Sequence, residues 1–466
     1  MSAISNVGLS SWPNSLTATC PSTRALESGD STVEDQLPPP KCPRSIEEAG
    51  LSNVLVADLI LKFLSVRGYG LGNDLAQDLG LPFRVIEQTL TQLKEQKLVE
   101  VAGGELLGPI SYRFALTEAG RERARAAIAQ CAYIGPAPVT LEQYTVQARL
   151  QTVKGVACNR ATLGSVFTHL VLAESLLDEL GPAVVSGRSI FFYGPPGSGK
   201  TAISRALGDF LNRYGGDVWI PHAFLVENSI VTIYDPLLHR VTATHATAPR
   251  SQLENLFHTP EEAIDRRWLR IKRPVVVVGG ELTLETLDLR YNQTSNIYQS
   301  PLHVKANGGV FLIDDFGRQI VSPRNLLNRW ILPLEERQDF LTLATGKKIA
   351  VPFEQLVLFS TNLEPSQLVD DAFLRRIRHK IFVPSPTRDT FERIFEKVCE
   401  NMGMPYKPEI VQYLYDRYYE KGREPRSSDS RDLLEIVESI CRFRGNGLEL
   451  HEGLIEEAAR RFFANL

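Results

Sequence analysis

Eight consecutive residues, Gly194-Pro195-Pro196-Gly197-Ser198-Gly199-Lys200-Thr201, complete the pattern Gly-x4-Gly-Lys-Thr. Their chemistry is anion capture. Glycines let the backbone curl so that successive N–H groups converge on one anion, where a Cβ would obstruct the approach. Lys200 can place an ammonium on β- and γ-phosphates, and Thr201 can offer a hydroxyl to Mg²⁺. The flanks agree. Ser189-Ile190-Phe191-Phe192-Tyr193 reads as a buried strand, and Ile203, Leu207, Phe210 and Leu211 recur at helical spacing beyond the loop. A helix N-terminus therefore faces the phosphates.

A second group of residues suits the metal that accompanies a triphosphate. Val310-Phe311-Leu312-Ile313 is a strand apolar on both faces, and it delivers Asp314 and Asp315 at its C-terminal end. Ligands of open α/β sheets bind at that edge. This is a Walker B pattern, with Asp314 holding Mg²⁺ through water and Asp315 polarising an attacking water. A third strand, Leu356-Val357-Leu358-Phe359-Ser360, ends in Thr361-Asn362.

In this order the pieces resemble an AAA+ ATPase: an α/β P-loop NTPase core followed by a C-terminal helical lid. The resemblance covers about residues 151 to 466. It implies ATP and Mg²⁺ as ligands and ATP hydrolysis as the activity. It makes Asn362 sensor 1, orienting the hydrolytic water. Asp371-Ala372-Phe373-Leu374-Arg375-Arg376-Ile377 is similar to the family's arginine-finger helix. Either Arg375 or Arg376 would reach a neighbouring subunit's site, where a fixed guanidinium offsets charge on the transferring phosphoryl group. Arg431 occupies the place of sensor 2; the alternative is a helix-start arginine paired with Asp432. A homo-oligomeric ring, with a hexamer as one possible size, follows from the same resemblance.

Two features depart from the common pattern. The second Walker B acid is usually Glu, and Asp315 is shorter by one methylene. A shift of roughly 1.5 Å can cost about 100-fold in rate, which predicts slow, switch-like hydrolysis. The bacterial replication initiator family also has Asp-Asp, so the pair does not abolish activity. The second departure is length: 113 positions separate Thr201 from Asp314, more than one helix and strand need. Part of that chain is Arg273-Pro274-Val275-Val276-Val277-Val278-Gly279-Gly280 and the polar stretch 291–300. Further on, Asp339–Leu343 and Lys348–Val351 flank Thr345-Gly346, a hairpin signal. A hairpin before sensor 1 resembles the branch of MoxR-type ATPases, magnesium-chelatase motor subunits and enhancer-binding activators. The lead-in Pro301-Leu302-His303-x-x-Ala306-Asn307-Gly308-Gly309 strengthens that comparison. No Gly-Ala-Phe-Thr-Gly-Ala loop and no His-Glu-x-x-His occur, which argues against sigma-factor contact and a fused zinc protease.

The elements that must position these groups divide the chain. Residues 1–44 are rich in Ser, Thr and Pro and predict a disordered tail. Ser45-x-x-Glu48 then resembles a capping box. Residues 45–128 read helix (54–65), helix (73–79), helix (82–97), strand (98–101), Gly103-Gly104 turn, strand (112–116), helix (118–127). That order resembles a winged helix-turn-helix, an α+β domain. Residues 129–150, with Gly135-Pro136-Ala137-Pro138, predict a semi-rigid linker. Residues 151–385 hold the ATPase core, and 386–466 carry helical periodicity in three stretches, the expected lid.

Charge bears on partners. Over the whole chain 51 Lys+Arg face 55 Asp+Glu, so there is no global attraction to nucleic acid or an anionic membrane. Between residues 51 and 130 nine basic residues meet nine acidic ones, and the third helix exposes Arg84, Lys94 and Lys97 against Glu87 and Glu95. Basic clustering is the usual mark of DNA binding. Its absence favours a protein client for this domain, with DNA as the alternative. Six scattered cysteines without a Cys-x-x-Cys pair, and a start without signal-peptide character, predict a cytoplasmic protein. The eight histidines show no metal-ligand spacing, and no apolar run is long enough for membrane insertion. The favoured function is thus a ring-forming, ATP-driven remodelling or chaperone-like motor that recruits a protein client. The alternatives are a DNA-associated switch and a passive ATP binder.

Overall fold

Alternation along short strands decides how the core forms. In β5 (Ile190–Tyr193), Ile190 and Phe192 face one side and Phe191 the other, and all three are fully buried. Two hydrophobic layers therefore form, one on each face of the same sheet. The computed structural model describes residues 37–104, 108–243, 264–368 and 375–463. The core sheet is parallel throughout. Its order, β11-β14-β17-β5-β18, uses β11 (Val275–Val278), β14 (Val310–Ile313), β17 (Leu356–Thr361) and β18 (His379–Phe382). Helix Lys200–Tyr214 and helix Glu174–Ser186 cover one face, with Leu207, Phe210 and Leu180 at its centre. Helix Pro323–Glu336 covers the other, where Trp330 packs edge-on against Phe311, Phe353 and Phe359. A parallel sheet wrapped on both faces with a glycine-rich loop after its first strand is the α/β P-loop NTPase core.

Among the described residues, the extra chain before Asp314 adds two further sheets. β6 (Val218–Pro221), β9 (Val241–Ala243) and β10 (Trp268–Ile271) make one antiparallel sheet. β7 (Ala223–Val226) and β8 (Ser229–Thr232) join β12 (Arg290–Asn292) and β13 (Ile297–Gln299) in another, so the polar stretch 291–300 is a hairpin. The hairpin expected before sensor 1 is present as β15 (Gln338–Thr342) and β16 (Lys348–Pro352).

The N-terminal residues form three helices, Asn53–Arg67, Gly72–Leu79 and Phe83–Glu95. A sheet of order β1-β3-β2 follows, built from Tyr69–Leu71, Tyr112–Leu116 and Val99–Gly104, and helix Glu118–Gln130 closes the unit. At the other end, helices Arg388–Met402, Pro408–Leu414, Asp429–Arg444 and Glu452–Phe462 enclose a core of their own around Phe391, Leu414, Leu434 and Ile455.

Two expectations need correction. Residues 129–150 are no linker: β4 (Val139–Thr140) pairs with β7, and Thr140 starts helix Leu141–Leu150 with a reciprocal capping box to Gln143. Tyr144 of that helix is buried against Phe224, rings 5.3 Å apart. The Pro-rich stretch misled because apolar anchors here are sparse and meet partners distant in sequence. The tail reading also fails for 37–44. Pro40 is buried, its carbonyl accepts the Asp265 N–H at 2.9 Å, and Lys41 bridges Ile264. Residues 1–36 of the expected tail lie outside the described residues. Among the described residues no helix is long and apolar enough to cross a membrane.

Candidate nucleotide-binding site

Three loops meet at the C-terminal edge of the core sheet. The first follows β5. Gly194, Gly197 and Gly199 have φ of +139°, +77° and +97°, values that L side chains rarely adopt. A Cβ on Gly194 would lie 2.3 Å from the Val383 carbonyl oxygen, whereas Gly199 has open space around it. Gly199 caps the helix that starts at Lys200. The first N–H groups of that helix lack intrahelical partners and carry the positive end of its dipole.

Lys200 is buried, and its Nζ donates to Gly194 O (2.9 Å), Pro195 O (2.7 Å) and Ser198 Oγ (3.3 Å). Burial pushes its pKa down to about 8, while the carboxylates of Asp314 and Asp315 pull the other way. Thr201 Oγ1 donates to Asp314 Oδ2 at 2.9 Å, so hydroxyl and carboxylate share one point. Both are hard oxygen donors of the kind Mg²⁺ takes. Cradle, ammonium and oxygen pair fit a Mg²⁺–triphosphate.

The second loop follows β14. Asp315 takes φ +48°, a left-handed conformation costing about 1–2 kcal/mol for a non-glycine residue. Surrounding bonds hold it there. Asn362 Nδ2, from the third loop, donates to Asp315 Oδ1 at 3.2 Å, and the Asp315 N–H donates to Asp314 Oδ1 at 3.1 Å. Gln319, buried below the turn, donates from Nε2 to the carbonyls of Asp314 (2.8 Å) and Asp315 (3.1 Å) and accepts from the Gly317 N–H (2.8 Å). The sequence reading missed Gln319, since a glutamine in the turn after a strand carries no pattern of its own.

The arginines separate. Arg375 and Arg376 precede β18, whose first residue pairs with Ile190 at the start of β5. They therefore sit at the sheet edge opposite the phosphate loop. Arg376 Nε donates to Glu335 Oε1 at 2.8 Å, and Arg375 is exposed. With Arg188 and Arg378 they line a cleft of about 510 Å³. The rest of the expected finger helix, 371–374, lies outside the described residues. Arg431 stands as the helix-start alternative has it, beside Asp432. Its side chain is 65% exposed and stands 3.9 Å from Asp432 and from Glu435 on its own helix. The residues that meet the loop are Arg426 and Ser428: the Ser428 N–H donates to Gly197 O at 3.1 Å. A Cβ on Gly197 would lie 2.7 Å from Ser428 Oγ and 3.0 Å from Arg426 Cβ. A cation just before the capping segment Ser427-Ser428-Asp429 was the available signal.

Residues 387–461 match a family model described as a domain of unknown function, DUF8689. No curated protein matches the chain. Among solved structures, NtrX from Brucella abortus is similar at 15% identity and a TM-score of 0.35, over 61% of this chain and 53% of that one. The chain thus spans about half of NtrX. Domain III of the Thermotoga maritima replication initiation protein DnaA is similar at 13% identity and a TM-score of 0.35, over 66% and 100%. The Thermotoga maritima RuvB Holliday junction branch migration motor is similar at 12% identity and 0.35, over 62% and 70%. Likeness this loose carries no argument; the fold rests on the sheet order and the loop geometry above.

Proposed function

We propose that this chain is an AAA+ ATPase that binds Mg²⁺–ATP at residues 194–201 and hydrolyses it slowly. The observation that carries the reading is the contact of Thr201 and Asp314 beside a buried Lys200. Lys200 would exchange its two loop carbonyls for phosphate oxygens, a charge-assisted pairing stronger than the neutral one it leaves. Thr201 and Asp314 would hold Mg²⁺, which supplies charge neutralisation along the phosphates. Asp315 and Asn362, already hydrogen-bonded, would orient the attacking water. Gln319 positions both carboxylates through their backbone. Arg426 would reach the nucleotide from the C-terminal helical unit, the proposed lid at 386–466.

Arg375 and Arg376 lie too far round the sheet to serve their own loop, which supports a finger acting on a neighbouring subunit and hence a ring. Arg375 is the better finger, because Arg376 is engaged by Glu335. The β15–β16 hairpin supports the MoxR-type and magnesium-chelatase branch, and remodelling of a protein client is the activity that fits it. The N-terminal residues 45–128 have the element order of a winged helix and would serve recruitment. Two variants test the reading by nucleotide titration and phosphate release. Lys200→Ala should abolish ATP uptake; Asp315→Asn should retain uptake and stop turnover. Turnover by purified Asp315→Asn equal to wild type would remove Asp315 from the proposed machinery, and no phosphate release by the wild type would remove hydrolysis.

A further inference from the structure

The turn that would bring a recognition helix to DNA is covered by this chain itself. Gly80 ends the second N-terminal helix in a left-handed conformation, and a Cβ there would lie 3.0 Å from the backbone of Arg266 and Arg267. The Ala137 N–H donates to Leu79 O at 2.8 Å on the same turn. Beside it, Cys42 lies in the field of Asp265, Arg266 and Arg267 and also of Arg84, the exposed cation on the first turn of the third helix.

One buried arginine fastens the contact. Arg267 is 1% exposed and grips Asp265 with Nε and Nη2, the shortest bond 2.8 Å. Its Nη1 donates to Ala49 O (2.9 Å) and Pro138 O (3.2 Å). Asp265 in turn donates its N–H to Pro40 O. A buried ion pair is costly to break from one side, because the remaining charge stays out of water. The apolar contact is continuous as well. Ala223 and Ile230 of the strand insertion belong to the same buried cluster as Leu59, Leu79 and Leu90.

Recognition helices insert their N-terminal residues into the major groove. That groove is about 12 Å wide, roughly the diameter of one helix with its side chains. Here the backbone of Arg266 and Arg267 lies on the turn at Gly80, three residues before the third helix begins at Phe83, and that turn is buried while Arg84, Gln88 and Thr91 beyond it are exposed. We propose that residues 264–267, packed on the Gly80 turn and backed by Pro40 and Lys41, stand in the way of DNA approaching the N-terminal end of the third helix and make residues 45–128 a fixed part of the ATPase body. The proposal rests on the winged-helix reading of 45–128 and is independent of nucleotide binding.

The test uses the full chain and a fluorescein-labelled duplex of mixed sequence at low salt, followed by anisotropy. A free recognition helix loses about tenfold in affinity when its first-turn cation is reversed by Arg84→Glu. The proposal expects wild type and Arg84→Glu to agree within about twofold, and a tenfold loss overturns it. Hydrogen exchange on the wild type gives an independent measure. The amides of Ala137 and Asp265 should exchange as slowly as those of the buried strand β14, opening only with the whole unit. Exchange of both well ahead of β14 also overturns the proposal. Uptake of a fluorescent adenine nucleotide is followed in the same samples. Its loss removes the ATPase reading and leaves the covered turn standing; normal uptake with early exchange removes only the covered turn.

Discussion

Lys200 has exchanged water for three oxygen acceptors, and this sets a pH window for its chemistry. Burial holds its pKa near 8, below the ordinary lysine value of 10.5. In the free protein the ammonium is complete below that pH and is lost above it. Phosphates favour the charged form, so binding above pH 8 must take up a proton. Affinity for ATP should be flat below about pH 8 and then weaken by up to about tenfold per pH unit. Nucleotide titrations between about pH 7 and about pH 10 check this, and a flat profile would contradict it. Two arginines of the C-terminal helical unit separate at the same scale. Arg426→Ala should cost about tenfold or more in nucleotide affinity or turnover, the worth of a charged contact. Arg431→Ala should stay within about twofold, as surface pairs contribute little.

Among elements, the packing of β11 on β14 depends on one small residue. Gly309 introduces β14, and a Cβ there would lie 2.0 Å from the Pro274 oxygen and 2.7 Å from its nitrogen. Neither backbone atom can swing aside as a side chain tip could. Gly309→Ala should therefore destabilise the core by about 1–3 kcal/mol, measured as a lower denaturation midpoint with unchanged slope. Because Asp314 and Asp315 follow directly from this strand, residual ATPase activity should fall with it. The Asp315 turn illustrates a related point. Its left-handed backbone is held by Asn362 and Gln319, so the Asp315 carboxylate depends on bonds from a separate loop and from the far side of its own turn.

Across the whole molecule, Arg273 joins parts that are far apart in sequence. It is buried, and its guanidinium donates to Gly215 O (2.7 Å from Nη2), Gly216 O (3.2 Å) and Gln151 O (3.0 Å). It also donates to Gly308 O, tying the end of the phosphate-loop helix to the approach of β14. Arg273→Leu would leave these carbonyls without a donor at about 1–3 kcal/mol each where water cannot enter. Loss of cooperative unfolding, or a steep drop in the thermal midpoint, is the expected result. The glycine-rich loop with its strand and helix, the strand before Asp314 and the strand before Asn362 were legible in the chain because each depends on neighbours a few residues away. So were most N-terminal elements, whose apolar spacing matches the helices and strands found. The stretch 129–150 was misread because its packing depends on what lies across the fold.

Local stereochemistry thus determined, from the sequence alone, the anion-binding loop, its helix, and the carboxylates at a strand end. Tertiary structure alone decided that Arg426 meets Gly197, that Gln319 supports the turn at Asp314 and Asp315, and that Arg267 ties Asp265 to the carbonyls of Ala49 and Pro138. The reason is physical. Glycine conformations and strand alternation are written in adjacent residues, while a buried guanidinium chooses among carbonyls that only folding brings within 3 Å.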